Sequence, residues 1–243
     1  MFAPKTIARI VGVLFIVASA TAIAGGSLLL PLDEPDFLSA TAAAEGQIVS
    51  GVLLELVLVL SVVGIAVMIY PILRRRDEGL GMAYVGARTL EAVLLLAASV
   101  SGLVVLSLAR TSEQSADGGM LALGESILAT REWTYLIGSL VALGVSAMIL
   151  NSLLFRARLV PAWLSLWGLA GGGLILLRGV IEMYGGDLNG ITQGILAAPI
   201  AIQEMVFALW LIIKGFDTSR HTITEADPAL TEAGAPLPAK EAV

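Results

Sequence analysis

QIVSGVLLELVLVLSVVGIAVMIYPIL, residues 47–73, runs without interruption into Arg74, Arg75 and Arg76. A single charged side chain, Glu55, stands in that stretch. At ~1.5 Å per residue it makes a helix of about 40 Å, more than the ~30 Å hydrocarbon core of a bilayer. A helix apolar on every side and stopped by three arginines reads as a membrane span whose basic end lies in the cytoplasm.

The rest of the chain repeats this pattern. Of 243 residues, 57% are hydrophobic and only 14% charged, too few charges to cover a soluble domain of this length. Six spans are expected, at about residues 7–30, 47–73, 82–109, 133–155, 163–184 and 191–216. The expected fold is therefore an all-α membrane protein: a six-transmembrane-helix bundle over residues 1–216, followed by a polar, Pro/Ala-rich and disordered tail, 217–243. The run ASATA (residues 18–22) imitates a signal-peptide cleavage site. The apolar stretch around it is longer than a signal h-region, so a retained first span is expected.

Charge sets the orientation. Lys5, Arg9, the arginine triplet, Arg156, Arg158, Lys214 and Arg220 alternate onto one side. Asp33, Glu34, Asp36, Glu45, Glu113, Asp117 and Asp187 take the other, against only Arg110 and Arg131. Both termini are expected in the cytoplasm (N-in, C-in). Tyr70, Tyr84, Trp163 and Trp167 would mark the inner boundary, and Trp133, Tyr135 and Tyr184 the outer one. Residues 118–130 are too short to span, and two readings stand: a short interfacial helix, or a loop packed on the outer helix ends.

Composition also excludes functions. With no cysteine there are no disulfides, thiolate chemistry or Cys metal sites. The only histidine, His221, lies in the tail, so no metal, cofactor or His-based catalytic site is expected inside the membrane. A net charge of −6 gives no reason to expect nucleic acid. Ser139, Ser146 and Ser165 have no evident base, so the reading leans away from an enzyme; an enzyme acting on lipid by carboxylate chemistry at Glu91 and Glu204 stays open without support.

Function is sought among the polar groups at membrane depth. Glu204 is followed by nine uncharged residues before Lys214, which places it ~14 Å deep, near mid-bilayer. Gln203 is beside it and Pro199 precedes it, opening the backbone ladder at Ile195. A bent helix there would serve either a polar site or packing around Arg178 or Arg88. Arg88 and Glu91 share one face of the third span. Because eighteen uncharged residues follow Glu91, Arg88 is read as snorkelling to the inner surface. By the same count Glu55 sits either at the outer interface or at depth. Arg178 and Glu182, four apart, pair on the fifth span, or Arg178 instead meets Glu55 across a cavity. Asn151 is expected to hydrogen-bond across helices, and the Gly168/Gly172 face to allow close packing, within the chain or in a homodimer.

Three passages carry a resemblance: Ala8-Arg9-Ile10-Val11-Gly12-Val13-Leu14-Phe15, Ala87-Arg88-Thr89-Leu90-Glu91-Ala92-Val93-Leu94-Leu95 and Leu209-Trp210-Leu211-Ile212-Ile213-Lys214-Gly215-Phe216. With the span count they resemble the bacterial membrane family called domain of unknown function 4386. The resemblance implies a multi-helix protein of the bacterial inner (plasma) membrane, with Arg88, Glu91 and Lys214 in the family pattern, and implies no activity.

Two functions follow. One is a small-molecule or ion transporter, or ligand-binding protein, coupled to protons through Glu204 or Glu91. In that case three plus three spans form inverted halves that match Glu55 to Arg178, and Arg88 with Glu91 to Glu204. The other is a non-catalytic membrane component (assembly factor, sensor or lipid-binding subunit) whose buried charges are structural ion pairs. Charges converging on a cavity favour the first. Dry one-to-one pairs favour the second.

Overall fold

A computed structural model describes residues 3–112 and 118–217. Of the expected tail only Asp217 is described; residues 218–243, with Arg220 and His221, lie outside the described residues, as do Glu113 and Asp117. Helix α1 (Pro4–Leu28) starts on a proline at its first position, where the missing N–H costs nothing. A 3-10 turn (Leu30–Asp33) and a short α2 (Phe37–Ala43) lead to α3 (Glu45–Leu73) and α4 (Glu78–Ser112). Next come α5 (Gly118–Leu136), α6 (Leu143–Ala157), α7 (Ala162–Met183) and α8 (Gly190–Ile213). The turn into α4 is capped by Asp77, whose carboxylate accepts from the Leu80 N–H at 2.9 Å. Asn189 caps α8 in the same way through the Thr192 N–H at 2.9 Å.

Among the described residues six helices are long and apolar enough to cross a membrane. The fourth differs from its expected form. Residues 118–130 are neither a loop nor a separate interfacial helix. They form the first turns of one 39-residue helix, Gly119–Ala157, in which α5 and α6 are joined through a π-helical segment, Ile137–Ala142. The helix can continue because Ile127 and Leu128 pack on a cluster of Leu32, Phe37, Ile48 and Leu106. Apolar burial there outweighs the weak helix propensity of the glycines.

The spans pack in chain order, α1 on α3, α3 on α4, α4 on α5 and α6, α6 on α7, α7 on α8, and α8 closes back on α1. Small residues set the close crossings. A Cβ at Gly12 of α1 would lie 2.6 Å from the Ala208 carbonyl oxygen of α8, and one at Gly171 of α7 lies 2.8 Å from the Ile200 nitrogen. Helix α8 runs continuously through Pro199, directly before that contact. Large apolar side chains such as Ile23, Leu60, Val67, Ile202 and Leu209 remain exposed around the ring, the surface that lipid covers.

The Gly168/Gly172 face corrects an expectation. Both glycines are buried within the protomer. A Cβ at Gly168 would overlap the Asn151 amide, and one at Gly172 would meet Ala147 and Met148 at 3.2 Å. Helix α6 already occupies this face, so it is not free for a homodimer.

Candidate functional site

Three polar side chains meet inside the ring: Arg88 and Glu91 from α4 and Glu204 from α8. Arg88 does not snorkel. It is only 3% exposed. Its Nη1 donates to both oxygens of Glu91, at 3.0 and 3.1 Å, and its Nη2 to Glu204 at 3.4 Å. Its Nε donates to the Tyr84 hydroxyl at 3.2 Å. The guanidinium carbon also lies 5.7 Å from the centre of the Phe15 ring and 5.8 Å from that of Tyr84. These partners explain why the arginine stays: at this depth they replace the water that snorkelling would supply. Tyr84 is fully buried beside the guanidinium.

The α4 side of this arrangement follows from local sequence. Tyr84, Arg88 and Glu91 stand four and three apart and share one helix face. Glu204 arrives from 116 residues away, and its carboxylate retains 17% exposure. Ser146, on the fourth span, approaches Glu91 at 3.5 Å. Two carboxylates thus share one guanidinium, which is not a one-to-one pair.

A cavity of about 120 Å³ adjoins the cluster. It is lined by Arg88, Glu91 and Glu204 and by residues of α1, α3 and the fourth span, among them Tyr135 and Ser139. The π-helical segment borders it. Gly138 within that segment lets the fourth helix approach α4, where a Cβ would stand 3.4 Å from the Glu91 carbonyl oxygen. Such segments insert an extra residue into a helical turn and are frequent at functional sites.

A second cleft, of about 600 Å³, opens at the end of the bundle that carries the acidic loops. Glu55 and Arg131 lie at its inner edge. Arg131 Nη2 donates to Glu55 at 2.6 Å, its Nη1 to the Ala98 carbonyl at 2.6 Å, and Ser99 donates to Glu55 at 2.7 Å. Glu55 therefore pairs with Arg131, and the expected contact with Arg178 does not form. Arg131 was hidden in the sequence because polar neighbours made it look like a loop charge. Asp33, Glu125 and Glu132 also face this cleft. Partial burial raises the Asp33 pKa, and the Arg131 charge opposes the rise. Its contribution to stability is thus present below the ordinary carboxylate pKa and lost as pH rises through the raised one. Tyr135 lines both the cleft and the inner cavity, and so stands between them.

The remaining expected residues sit apart. Arg178 donates to Glu182 at 2.8 Å, the same-helix pair, and to the Gln193 carbonyl at 3.4 Å. Gln203, neighbour of Glu204, points away from the cavity. Its amide donates to the Asn151 side chain at 3.4 Å and to the Leu164 carbonyl at 3.3 Å, so Asn151 bonds across helices as expected. Among the described residues no group of acids could hold a metal ion.

The family described as domain of unknown function DUF4386 matches residues 10–215, so the chain belongs to that family. No curated protein and no solved structure matches it.

Proposed function

We propose that this DUF4386-family membrane protein transports or binds a small ion, coupled to protons, at Arg88, Glu91 and Glu204. The observation that carries this reading is two carboxylates on one guanidinium beside a cavity. With both acids ionised the cluster is one negative charge in excess, which a low-dielectric interior disfavours. One proton on either carboxyl, or one bound cation, makes it neutral. The site can therefore hold a proton or a cation and exchange one for the other.

Cavity size narrows the ligand. About 120 Å³ holds a few waters, whereas drug-sized ligands need ~300–1,000 Å³. Protons or a small monovalent cation fit this space. Access from the wider cleft would pass Tyr135, which lines both the cleft and the cavity. Lys5, Arg9, the arginine triplet, Arg156, Arg158 and Lys214 would face the cytoplasm of a bacterial inner membrane, with both termini on that side. The wide cleft then opens outward.

Reconstitution in vesicles loaded with a pH-sensitive dye tests the reading. Glu204→Gln, which keeps the shape and removes the titrating group, is expected to slow proton flux at least about tenfold while the protein stays folded. Wild-type flux in the variant, or no flux above empty vesicles for the wild type, leaves the cluster as a structural clamp.

A further inference from the structure

A further concavity lies away from the charged cluster, at the opposite end from the acidic cleft. About 980 Å³ in volume, it is enclosed by the turn between α6 and α7 and by the end of α8. Arg156, Arg158 and Lys214 stand on its rim and are exposed. Among the described residues none of the three forms an ion pair, and Asp217 is the only acid in the lining. Asp217 is held across the floor by its backbone N–H, which donates to the Leu159 carbonyl at 2.9 Å.

The walls have a different chemistry from the rim. Phe155 and Trp210 face the cleft, and Leu159, Val160 and Phe216 form its buried floor. All of these sit where helices end: α6 at Ala157, α7 from Ala162 and α8 at Ile213. If the helices span the bilayer, the rim meets the headgroup layer and the aromatic wall meets the upper acyl chains. The backbone adds to the argument. Arg158 adopts the left-handed conformation, φ 51°, at the end of α6. Leu159 N–H returns to the Leu154 carbonyl at 3.1 Å, the helix ending in which glycine is the usual residue. An arginine there costs conformational energy that glycine would not, and it places a third cation at the rim.

We infer that this cleft binds the phosphate headgroup of an anionic phospholipid, with Arg156, Arg158 and Lys214 holding the phosphate and Phe155 and Trp210 packing on the chains. Three cations that form no ion pair among the described residues match the charge, and an amphipathic cleft at helix ends matches a ligand with a charged head and apolar tails. The site does not depend on proton handling at Glu204.

Purified protein in neutral detergent provides the test. Its unfolding temperature is measured while it is titrated with short-chain phosphatidylglycerol, with phosphatidylcholine of the same chains, and with inorganic phosphate. Phosphatidylglycerol is expected to stabilise saturably and at lower concentration than phosphatidylcholine. Lys214→Gln and Arg158→Gly should each weaken its affinity about fivefold, the factor one basic residue contributes near an anionic surface. Arg158→Gly relieves the left-handed strain, so its unliganded unfolding temperature should equal or exceed that of the wild type. This separates lost binding from lost folding. Equal response to the two lipids, or unchanged affinity in both variants, overturns the proposal. Inorganic phosphate reproducing the whole shift overturns the lipid assignment.

Discussion

Arg88 is the residue on which the interior depends. One buried guanidinium makes four hydrogen-bond donations and lies against two aromatic rings. Removing one member of a buried ion pair typically costs ~3–5 kcal/mol, because the partner charge is left uncompensated. Arg88→Ala strands two acids and is expected to lie at the upper end of that range, seen as a large fall in unfolding temperature in detergent. Adding Glu91→Leu to Arg88→Ala should recover part of the loss, since it removes one stranded charge. A double variant less stable than Arg88→Ala alone would contradict this account. The Arg88–Glu91 pair was legible from the chain, because three residues on a helix bring side chains onto one face. Glu204 was legible as a buried acid with Arg178 or Arg88 as its candidate partner, but the choice of Arg88 was not, since nothing local links positions 116 residues apart.

At the scale of elements, the fourth span departs most from its expected form. A polar, glycine-containing segment looked like a break, yet it continues as helix because its apolar side chains find a cluster to bury against. That continuity carries Arg131 to Glu55 and sets Tyr135 between cleft and cavity. Tyr135→Ala is expected to raise the rate at which protons reach the inner site, and Tyr135→Phe to stay near wild type if the ring alone obstructs. The dye-loaded vesicle assay reads both, and equal flux in all three proteins would remove Tyr135 from the route. Packing between α6 and α7 gives a second expectation. Gly168→Ala forces a methyl into the Asn151 amide and should destabilise by ~1–3 kcal/mol. Gly173→Ala, in open space on the same helix, should be neutral or stabilising. Similar unfolding temperatures for the two would count against the close α6–α7 contact.

Across the whole molecule, two ion clusters tie elements that are distant in sequence. Arg88 joins α4 to α8 through Glu204, and Arg131 joins the fourth span to α3 through Glu55 and to α4 through the Ala98 carbonyl. The clusters share no partner, so their effects should add. A cycle of Glu55→Gln and Glu204→Gln, followed by unfolding temperature, should show coupling below ~0.5 kcal/mol. A larger coupling would mean that the cleft and the cavity respond as one unit. Of the two matches in the inverted-half scheme, Arg88 and Glu91 with Glu204 come together, whereas Glu55 and Arg178 each have another partner.

The sequence by itself determined the membrane class, the six apolar helices and the separation of basic from acidic ends. Each depends on composition and on length against bilayer thickness, which are local quantities. It also singled out the buried charges, because a charge in an apolar run is conspicuous wherever the helix ends up. Only the tertiary structure decided which charges meet, that Arg88 stays inside, that Arg131 is part of the bundle, and that the Gly168/Gly172 face is already filled. Those outcomes depend on how each helix is rotated and which neighbour it packs on. A helix apolar on nearly every side, as α3 is, carries almost no signal of its own rotation. The small residues and buried ion pairs that fix it act between positions far apart in the chain.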